Sequence, residues 1–562
     1  MPQSRHSLIE TRRDQIFPAL EPAEVGRLWR FGELKSYMAG DRIITTGEIA
    51  PGAFVILAGR VQVTHRGMPG HSELIVTHGP GSFMGELAQL SGRPSLVDAY
   101  AKEAVQALLI PPRRLRDLLV EEAELGEHIM RALILRRVAL LDVGAGGPVI
   151  VGSADHADVL RLENFLARNG HPHQRLDPKT DPCAQTLIER FHIDARELPI
   201  VLCPNGQLLR NPSDIELARY IGLVRPVDPN KIYDVVIVGA GPAGLAASVY
   251  AGSEGLSVLV LDCRAFGGQA GASARIENYL GFPTGISGLA LMGRAYNQAQ
   301  KFGVEMAIPA EVETLQCQTV ADEGRFLLTL ASKERVRART IVIASGAGYR
   351  RLDVGNLASF EGSCVHYWAS PLEGRLCAGQ EVALLGGGNS AGQAAVYLSS
   401  QVAKVRLIVR GPGLEENMSR YLVERITATP NVEILTETTV TALEGQVGIL
   451  KAIRCRSHRS GDEKTFAIRH LFIFIGADPN TEWLSRSGVM LDDKGFVRAG
   501  ANIHKPLETN LPGVFAIGDV RSGSVKRVAA AVVEGAQVVA ELHAFLTELG
   551  DRAALPADTR RH

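Results

Sequence analysis

The chain has 562 residues, enough for three or four domains of ordinary size. Its 60 Lys and Arg balance 61 Asp and Glu, so there is no overall basic field and no polybasic block to attract nucleic acid. The start, Met1-Pro2-Gln3-Ser4-Arg5-His6, lacks a signal-peptide apolar core and no apolar run reaches transmembrane length, so the expectation is a cytoplasmic protein without a membrane partner.

Residues 1–142 open with short β-like runs, Asp41 to Thr45, Ala53 to Ala58, Gly59 to Thr64 and Leu74 to Thr77, separated by glycine turns. A long helical stretch from Pro112 to Leu141 closes them. Gly47, Gly52, Gly59 and Phe83-Met84-Gly85-Glu86-Leu87-Ala88 resemble a cyclic-nucleotide-binding domain, a β-roll. In that family a glutamate, here Glu86, takes the ribose hydroxyl, and an arginine farther on takes the cyclic phosphate through a bidentate contact. An ungapped reading places Ser95 at the arginine and Asp98 at the family's Thr/Ser, with Arg93 two residues early. A two-residue slip is a large displacement along a strand. A sensor or scaffold with another ligand, or with none, is therefore preferred over a cyclic-nucleotide receptor. The helix runs into Gly144-Ala145-Gly146-Gly147 and a strand, with no helix-turn-helix pattern for DNA.

Residues 148–223 read as a small α/β unit. Strands are expected at Pro148 to Val151, His173 to Leu176 and Glu197 to Leu202, with helices at Ala154 to Asn169, Cys183 to Phe191 and Asp214 to Ile221. Asn205-Gly206 signals a hairpin. The order, and Leu198-Pro199 before a strand, resemble the thioredoxin fold with its cis-proline. The thiol motif of that fold would open the first helix, where Ser153-Ala154-Asp155-His156 stands without cysteine. A stiff linker, Val224-Arg225-Pro226-Val227-Asp228-Pro229-Asn230, follows.

At Tyr233 to Val238 an apolar strand pattern runs into Gly239-Ala240-Gly241-Pro242-Ala243-Gly244 and then a helical pattern. This is the setting a dinucleotide fingerprint needs. The first glycine turns the chain, the second lets backbone approach a pyrophosphate, and the third lets helix and strand pack closely, with the phosphates at the positive end of the helix. Asp262 ends the next strand, where a carboxylate can hold a ribose. Thr340 to Gly346 and Gly513 to Asp519 are further strands ending in small residues or Gly-Asp. With Gly267-Gly268-Gln269, Ile276 to Pro283 and Thr509 to Asp519, the segment resembles the FAD domain of the low-molecular-weight thioredoxin reductases over roughly residues 231–548. The resemblance implies FAD held by Gly239, Gly241, Pro242, Ala243, Gly244, Asp262, Gly267, Gly268, Val312, Ala344, Gly346 and Gly518. It implies Asp519 on the ribityl chain, Gln269 and Asn278 in the flavin pocket, and Val528-Ala529 beside the isoalloxazine.

A second glycine turn, Gly386-Gly387-Gly388-Asn389-Ser390-Ala391, follows Glu381 to Leu385. It lies in residues 351–472, which interrupt the FAD domain of 231–350 and 473–550. In the resembling family this insertion is the NADPH domain, which implies Gly386, Gly388, Asn389, Ser390 and Ala391 at the nucleotide. Arg410 ends the next strand, where a carboxylate would suit NAD and an arginine suits a 2′-phosphate. The family usually has two adjacent arginines there; here Gly411 follows, and Arg420 comes ten positions on. NADPH is the expected donor. The family's NADPH domain rotates, with expected hinges near Gly346–Tyr349 and Gly476–Pro479, and the family implies a homodimer.

The family's redox-active Cys-x-x-Cys falls on Cys364-Val365-His366-Tyr367-Trp368-Ala369-Ser370-Pro371, with Trp368 and Pro371 at the two cysteine positions. None of the seven cysteines, Cys183, Cys203, Cys263, Cys317, Cys364, Cys377 and Cys455, forms a Cys-x-x-Cys, so no zinc site or local dithiol is indicated. Thiol–disulfide exchange needs an attacking thiolate, which neither Trp nor Pro supplies. Trp368 either covers the flavin face or packs at the domain interface. The expected fold is multi-domain: a β-roll, a thioredoxin-like α/β domain and two Rossmann-like domains. The expected function is an FAD-dependent NADPH oxidoreductase passing electrons to a quinone, a ferredoxin or flavodoxin, a metal complex or oxygen. The alternatives are a thioredoxin-disulfide reductase using unconventional cysteines such as Cys364 and Cys377, and a non-enzymatic NADPH or redox sensor.

Overall fold

The computed structural model describes residues 12–554 apart from 67–71, 86–87, 144–146, 205, 225, 318–324 and 447. Glu86, the Gly144–Gly146 part of the first linker, and Asn205 of the hairpin signal lie outside the described residues. The chain forms two compact units.

In the first unit, alternating burial builds a β-roll of two antiparallel four-stranded sheets. One sheet runs Glu33–Tyr37, Val105–Ile110, Ala53–Ala58, Phe83–Met84. The other runs Arg42–Ile44, Asp98–Ala101, Val61–Arg66, Ser72–His78. Phe54, Ile56, Val61, Met84 and Ala107 fill the space between them. The helices Pro112–Glu121 and Ala123–Val143 cover the first sheet through Leu115, Leu118 and Leu133. The single helix expected from Pro112 to Leu141 is thus two, broken at Glu122, whose backbone leaves the helical region (φ −110°, ψ 79°). The Glu122 carboxylate there takes both Arg27 and Arg30.

The same unit holds a third sheet in the order Gln174–Leu176, Val149–Val151, Ile200–Leu202, Leu208–Arg210. Its first pair is parallel and the next two are antiparallel. The Leu198-Pro199 peptide before its third strand is cis.

The second unit is built on two parallel cores. Ile232–Val238 lies between Val258–Leu261 and Arg335–Ile343, parallel to both. The first half of Arg335–Ile343 takes Phe326–Leu330 antiparallel, and its last residues take Val514–Ala516 parallel. The other core orders Val365–His366, His470–Ile473, Glu381–Leu385, Lys404–Ile408 and Val432–Leu435, all parallel. Near-continuous burial along these strands follows from helices on their faces. The chain passes between the cores twice, and the two passes pair as the antiparallel ribbon Ala347–Tyr349 with Ala477–Pro479. Those are the segments expected as hinges.

The final helix, Val528–Ala554, packs on Pro242–Ser253. A Cβ on its Gly535 would lie 2.5 Å from the Ala243 carbonyl oxygen, so only glycine permits this approach. Its Val528–Leu549 part is long and apolar enough to cross a membrane by length and composition, with mean hydropathy 1.4. The expectation that no stretch reaches that length is corrected. Alanines and valines with few charges raise the average without forming one unbroken apolar run. Val538, Val539 and Leu542 of this helix are buried within the unit.

Candidate active site

The first glycine turn behaves as its spacing requires. Gly239 sits at φ +115°, and a Cβ there would lie 2.1 Å from the Ala344 carbonyl oxygen. A Cβ on Gly244 would lie 1.9 Å from the Gly239 carbonyl oxygen, so helix and strand meet at backbone distance. Gly241 caps the helix Pro242–Ser253 and leaves open space, its nearest neighbour being Gly268 Cα at 3.9 Å from the Cβ position. The first-turn N–H groups of this helix are therefore free of side-chain cover at the point where a pyrophosphate would sit.

Further residues close around the turn. Gly267 donates to the Ala240 carbonyl at 2.7 Å, and Gln269 donates its side-chain amide to the Ala347 carbonyl. Gly518 brings Asp519 against the start of the same helix, with its Cβ position 2.8 Å from Ala243 Cβ. Burial and the neighbouring Glu534 push the Asp519 carboxyl above the usual range, while Lys526 opposes them. Lys526 donates to the Asp519 carbonyl, and Glu534 accepts from both Gly518 N (2.6 Å) and Arg521 (2.6 Å). Lys526, Arg521 and Glu534 were not singled out from sequence. They carry no motif, and only the long helix brings Glu534 back to Gly518.

Asp262 lies one residue past its strand. Its Oδ2 accepts from Ala240 N (2.9 Å), and its Oδ1 accepts from Arg264 N and Ala265 N. The carboxylate therefore anchors the fingerprint turn. Val312 opens a strand and is buried, Gly346 begins the ribbon at φ +65°, and Val528 and Ala529 begin the final helix, Ala529 exposed. Asn278 lines an open cleft of about 490 Å³ with Arg275, Tyr421 and Arg425. Across it Arg425 donates to Glu277 at 3.0 Å, an ion pair between the two parallel cores.

The second glycine turn repeats the arrangement. Gly386 sits at φ +141°, with its Cβ position 2.3 Å from the Phe474 carbonyl oxygen. Gly388 caps the helix Asn389–Ser399, Ala391 is fully buried, and Ser390 is exposed. Asn389 Oδ1 accepts from Ser419 N at 2.7 Å, so this side chain holds the neighbouring loop. Gly386 N donates to the Ile408 carbonyl, which sets Arg410 two residues beyond and beside the turn. Arg410 is exposed, and Arg420 is exposed too, paired with Glu424 one helical turn on.

Trp368 donates its indole N–H to Glu373 at 3.1 Å and tilts over Tyr349, ring centres 6.5 Å apart. Tyr349 belongs to the ribbon and also stacks on Tyr367. Pro371 is the first residue of the helix Pro371–Leu376, closed by a capping box between Ser370 and the buried Glu373.

The cysteines are free thiols. Burial pushes the Cys377 thiol up to about 12, with help from Glu373 and Cys364, and Cys203 and Cys455 up to about 11. Cys364 and Cys377 belong to different core clusters, with Val365, Leu471 and Ile473 on the first side and Phe472 on the second.

In the β-roll the positions matched to a cyclic-nucleotide site serve the fold. Ser95 Oγ bonds the Val97 carbonyl, Asp98 accepts from Thr46 N, and Arg93 reaches the Asn169 carbonyl. The fully buried Arg136 spans the Ile16, Phe83 and Gly85 carbonyls at 2.9–3.0 Å and lies over the Phe17 and Phe83 rings. It faces an apolar cavity of about 60 Å³ lined by Ile44, Val63, Val76 and Met84.

Residues 233–535 match the family described as pyridine nucleotide-disulphide oxidoreductase, and residues 34–122 match the cyclic nucleotide-binding domain. A thioredoxin reductase of Mycolicibacterium smegmatis is 32% identical over 317 residues, 56% of this chain and 97% of the relative. The solved thioredoxin reductase of T. acidophilum is 30% identical with a TM-score of 0.52, covering 56% of this chain and 99% of that one. The Lactococcus lactis thioredoxin reductase in its FR conformation is 28% identical, also at 0.52, over 56% of this chain and 99% of that one.

Proposed function

The chain belongs to the pyridine nucleotide-disulphide oxidoreductase family, an oxidoreductase with FAD and NADPH as cofactors, and we propose that it passes electrons from NADPH through the flavin to an acceptor that is not a dithiol. The observation that carries this reading is the segment Trp368 to Pro371. An anchored indole and a helix-starting proline stand where the resembling reductases place their cysteines. The remaining candidate thiols, Cys364 and Cys377, sit in separate core clusters, and the second ionises only near 12. Cys377 therefore offers no attacking thiolate to such a relay at neutral pH.

The residues present fit both cofactors. Two glycine turns offer open backbone at helix N-termini, one at Gly241 and one at Gly388. Gly239, Gly241 and Gly244 would receive the FAD pyrophosphate, Asp519 the ribityl hydroxyls, and Gln269 the flavin edge. Gly386 and Gly388 would receive the NADPH pyrophosphate, with Arg410 and Arg420 at the 2′-phosphate. FAD, when bound, supplies the hydride acceptor and holds the electron pair for onward transfer. The chain's own residues place it. Lys526 and Glu534 fix the Gly518–Asp519 turn, and the ribbon of Ala347–Tyr349 and Ala477–Pro479 sets how the two cores meet.

We assign residues 231–350 and 473–550 to FAD and 351–472 to NADPH. Residues 148–223 are assigned a thioredoxin-like module without thiols, and 1–142 a sensor or scaffold roll with a ligand other than a cyclic nucleotide, or with none, supported by Arg136 spending its guanidinium on three backbone carbonyls of the roll. A cytoplasmic homodimer completes the proposal.

The test is anaerobic stopped-flow reduction of the FAD-loaded protein by NADPH, followed by mixing with a quinone or with the disulfide DTNB. The expected outcome is fast flavin reduction, fast reoxidation by quinone and none by disulfide. Reoxidation by disulfide that alkylation abolishes would overturn the proposal.

A further inference from the structure

His366, Cys377 and His470 come from three separate elements: the strand Val365–His366, the end of the helix Pro371–Leu376 and the strand His470–Ile473. Strand alternation puts both imidazoles on the face of the parallel core that also carries Phe472 and Cys377, opposite Val365, Leu471 and Ile473. All three are buried, at 6%, 0% and 6% exposure. One nitrogen of each imidazole and the sulfur lie within 4.8 Å of one another, and His366 Nε2 is 3.1 Å from His470 Nδ1.

We propose that these three side chains form a mononuclear site for a thiophilic d10 cation, Zn²⁺ or Cu⁺, bound by two imidazole nitrogens and a thiolate. Bonds of about 2.0–2.1 Å to nitrogen and about 2.3 Å to sulfur place donors roughly 3.3–3.9 Å apart around one ion. The observed spacing reaches that range with small side-chain shifts. A histidine–histidine hydrogen bond alone would account for two of the three groups. It leaves the Cys377 sulfur, which makes no hydrogen bond among the described residues, without a role. The donor set is borderline to soft, which selects zinc and copper over magnesium or calcium. Among the described residues no fourth His, Cys, Asp or Glu joins the group. Glu373 is committed to Trp368 and Ser370. Three protein ligands in a dry pocket are the arrangement Cu⁺ accepts as it stands and Zn²⁺ accepts with one added water.

An ion here would join the strand entering Trp368, the helix after it and the strand leading to the ribbon at Ala477–Pro479. It would fasten the segment that stands in place of a dithiol. The proposal rests on the fold and is independent of the electron acceptor.

The test uses the full-length FAD-loaded chain, stripped with a chelator and titrated anaerobically with Co²⁺ alone. About one Co²⁺ per chain is expected, with a near-ultraviolet sulfur-to-cobalt charge-transfer band. Zn²⁺ should displace the ion. A parallel Cu⁺ titration against a chromogenic chelator tells which of the two binds more tightly. Cys377→Ser is expected to abolish the band, and His470→Gln to weaken Co²⁺ binding at least about tenfold. Unchanged FAD content would certify that the variants are folded. If neither variant folds, the wild-type titration still decides. Absence of the band in the wild type, or its survival in Cys377→Ser, would overturn the site.

Discussion

Asp519 follows the left-handed Gly518 and lies half-buried beside Glu534, so its carboxyl is harder to ionise than an exposed one. A carboxyl whose folded value is raised keeps a proton that the unfolded chain releases. Folded-state stability is therefore lost as pH rises through this range, and the apoprotein carries that cost once the carboxyl ionises. Lys526 relieves part of it. Hydroxyl donors from a ribityl chain would relieve more, because hydrogen bonds to a buried charge are stronger than those between neutral groups. Asp519→Asn separates these effects. The apoprotein should melt no lower than wild type in thermal scans, while FAD affinity falls about ten- to a hundred-fold, the loss of one or two charge-assisted bonds. Equal FAD affinity by fluorescence titration would remove Asp519 from the flavin site. This aspartate was legible in the sequence because Gly-Asp ends an apolar strand. Glu534 and Lys526, which set its ionisation, were not, since neither belongs to a motif.

The short helix Pro371–Leu376 has one carboxylate serving four donors: Glu373 takes Ser370 N, Ser370 Oγ, the Trp368 indole and the Asn164 amide. Proline at the first helical position presets the backbone, and the capping box satisfies the helix start. Glu373→Ala removes the cap and orphans a half-buried indole N–H. The combined cost is about 2–3 kcal/mol. The expected result is a lower urea midpoint and a red-shifted Trp368 emission, with Glu373→Gln intermediate. An unchanged midpoint would mean that Tyr349 alone holds the indole. Elements were legible where one local pattern decided them. Both glycine turns stand between an apolar strand and a helix, and their backbone follows from that alone. Elements set by distant contacts were not. The break at Glu122 depends on Arg27 and Arg30, about ninety residues earlier in the chain, which no 3.6-residue period records. The cluster of His366, Cys377 and His470 likewise exists only because parallel strands bring together histidines 104 residues apart. Nor does any local pattern record that Asn278 shares a cleft with Tyr421 and Arg425, which lie more than a hundred residues on and meet it beside the Glu277–Arg425 ion pair.

At the scale of the whole molecule, buried neutral histidines make acid the condition that separates the folded chain from its unfolded state. In the first unit, burial and Arg136 lower His78 from 6.5 to about 3. Burial with Arg137, Arg93 and His173 lowers His171 from 6.5 to about 3, against a raising bond to the Pro172 carbonyl. For a histidine depressed in the folded state, stability is whole above the unfolded value. It is lost as pH falls, because the unfolded chain takes a proton that the folded chain refuses. The loss begins near 6.5 and approaches about 1.4 kcal/mol per pH unit for each group. By about pH 5 the pair should cost the first unit about 4 kcal/mol, a large share of an ordinary domain's stability. Thermal midpoints of the full chain between about pH 7.5 and pH 5 should therefore fall steeply, through a transition that need not coincide with FAD release. His171→Gln should flatten the slope by about half for that transition while leaving the neutral-pH midpoint lower, since the amide replaces a packed ring. A midpoint independent of pH over this window would show that burial, with Arg136 and Arg137 beside it, does not hold these rings neutral.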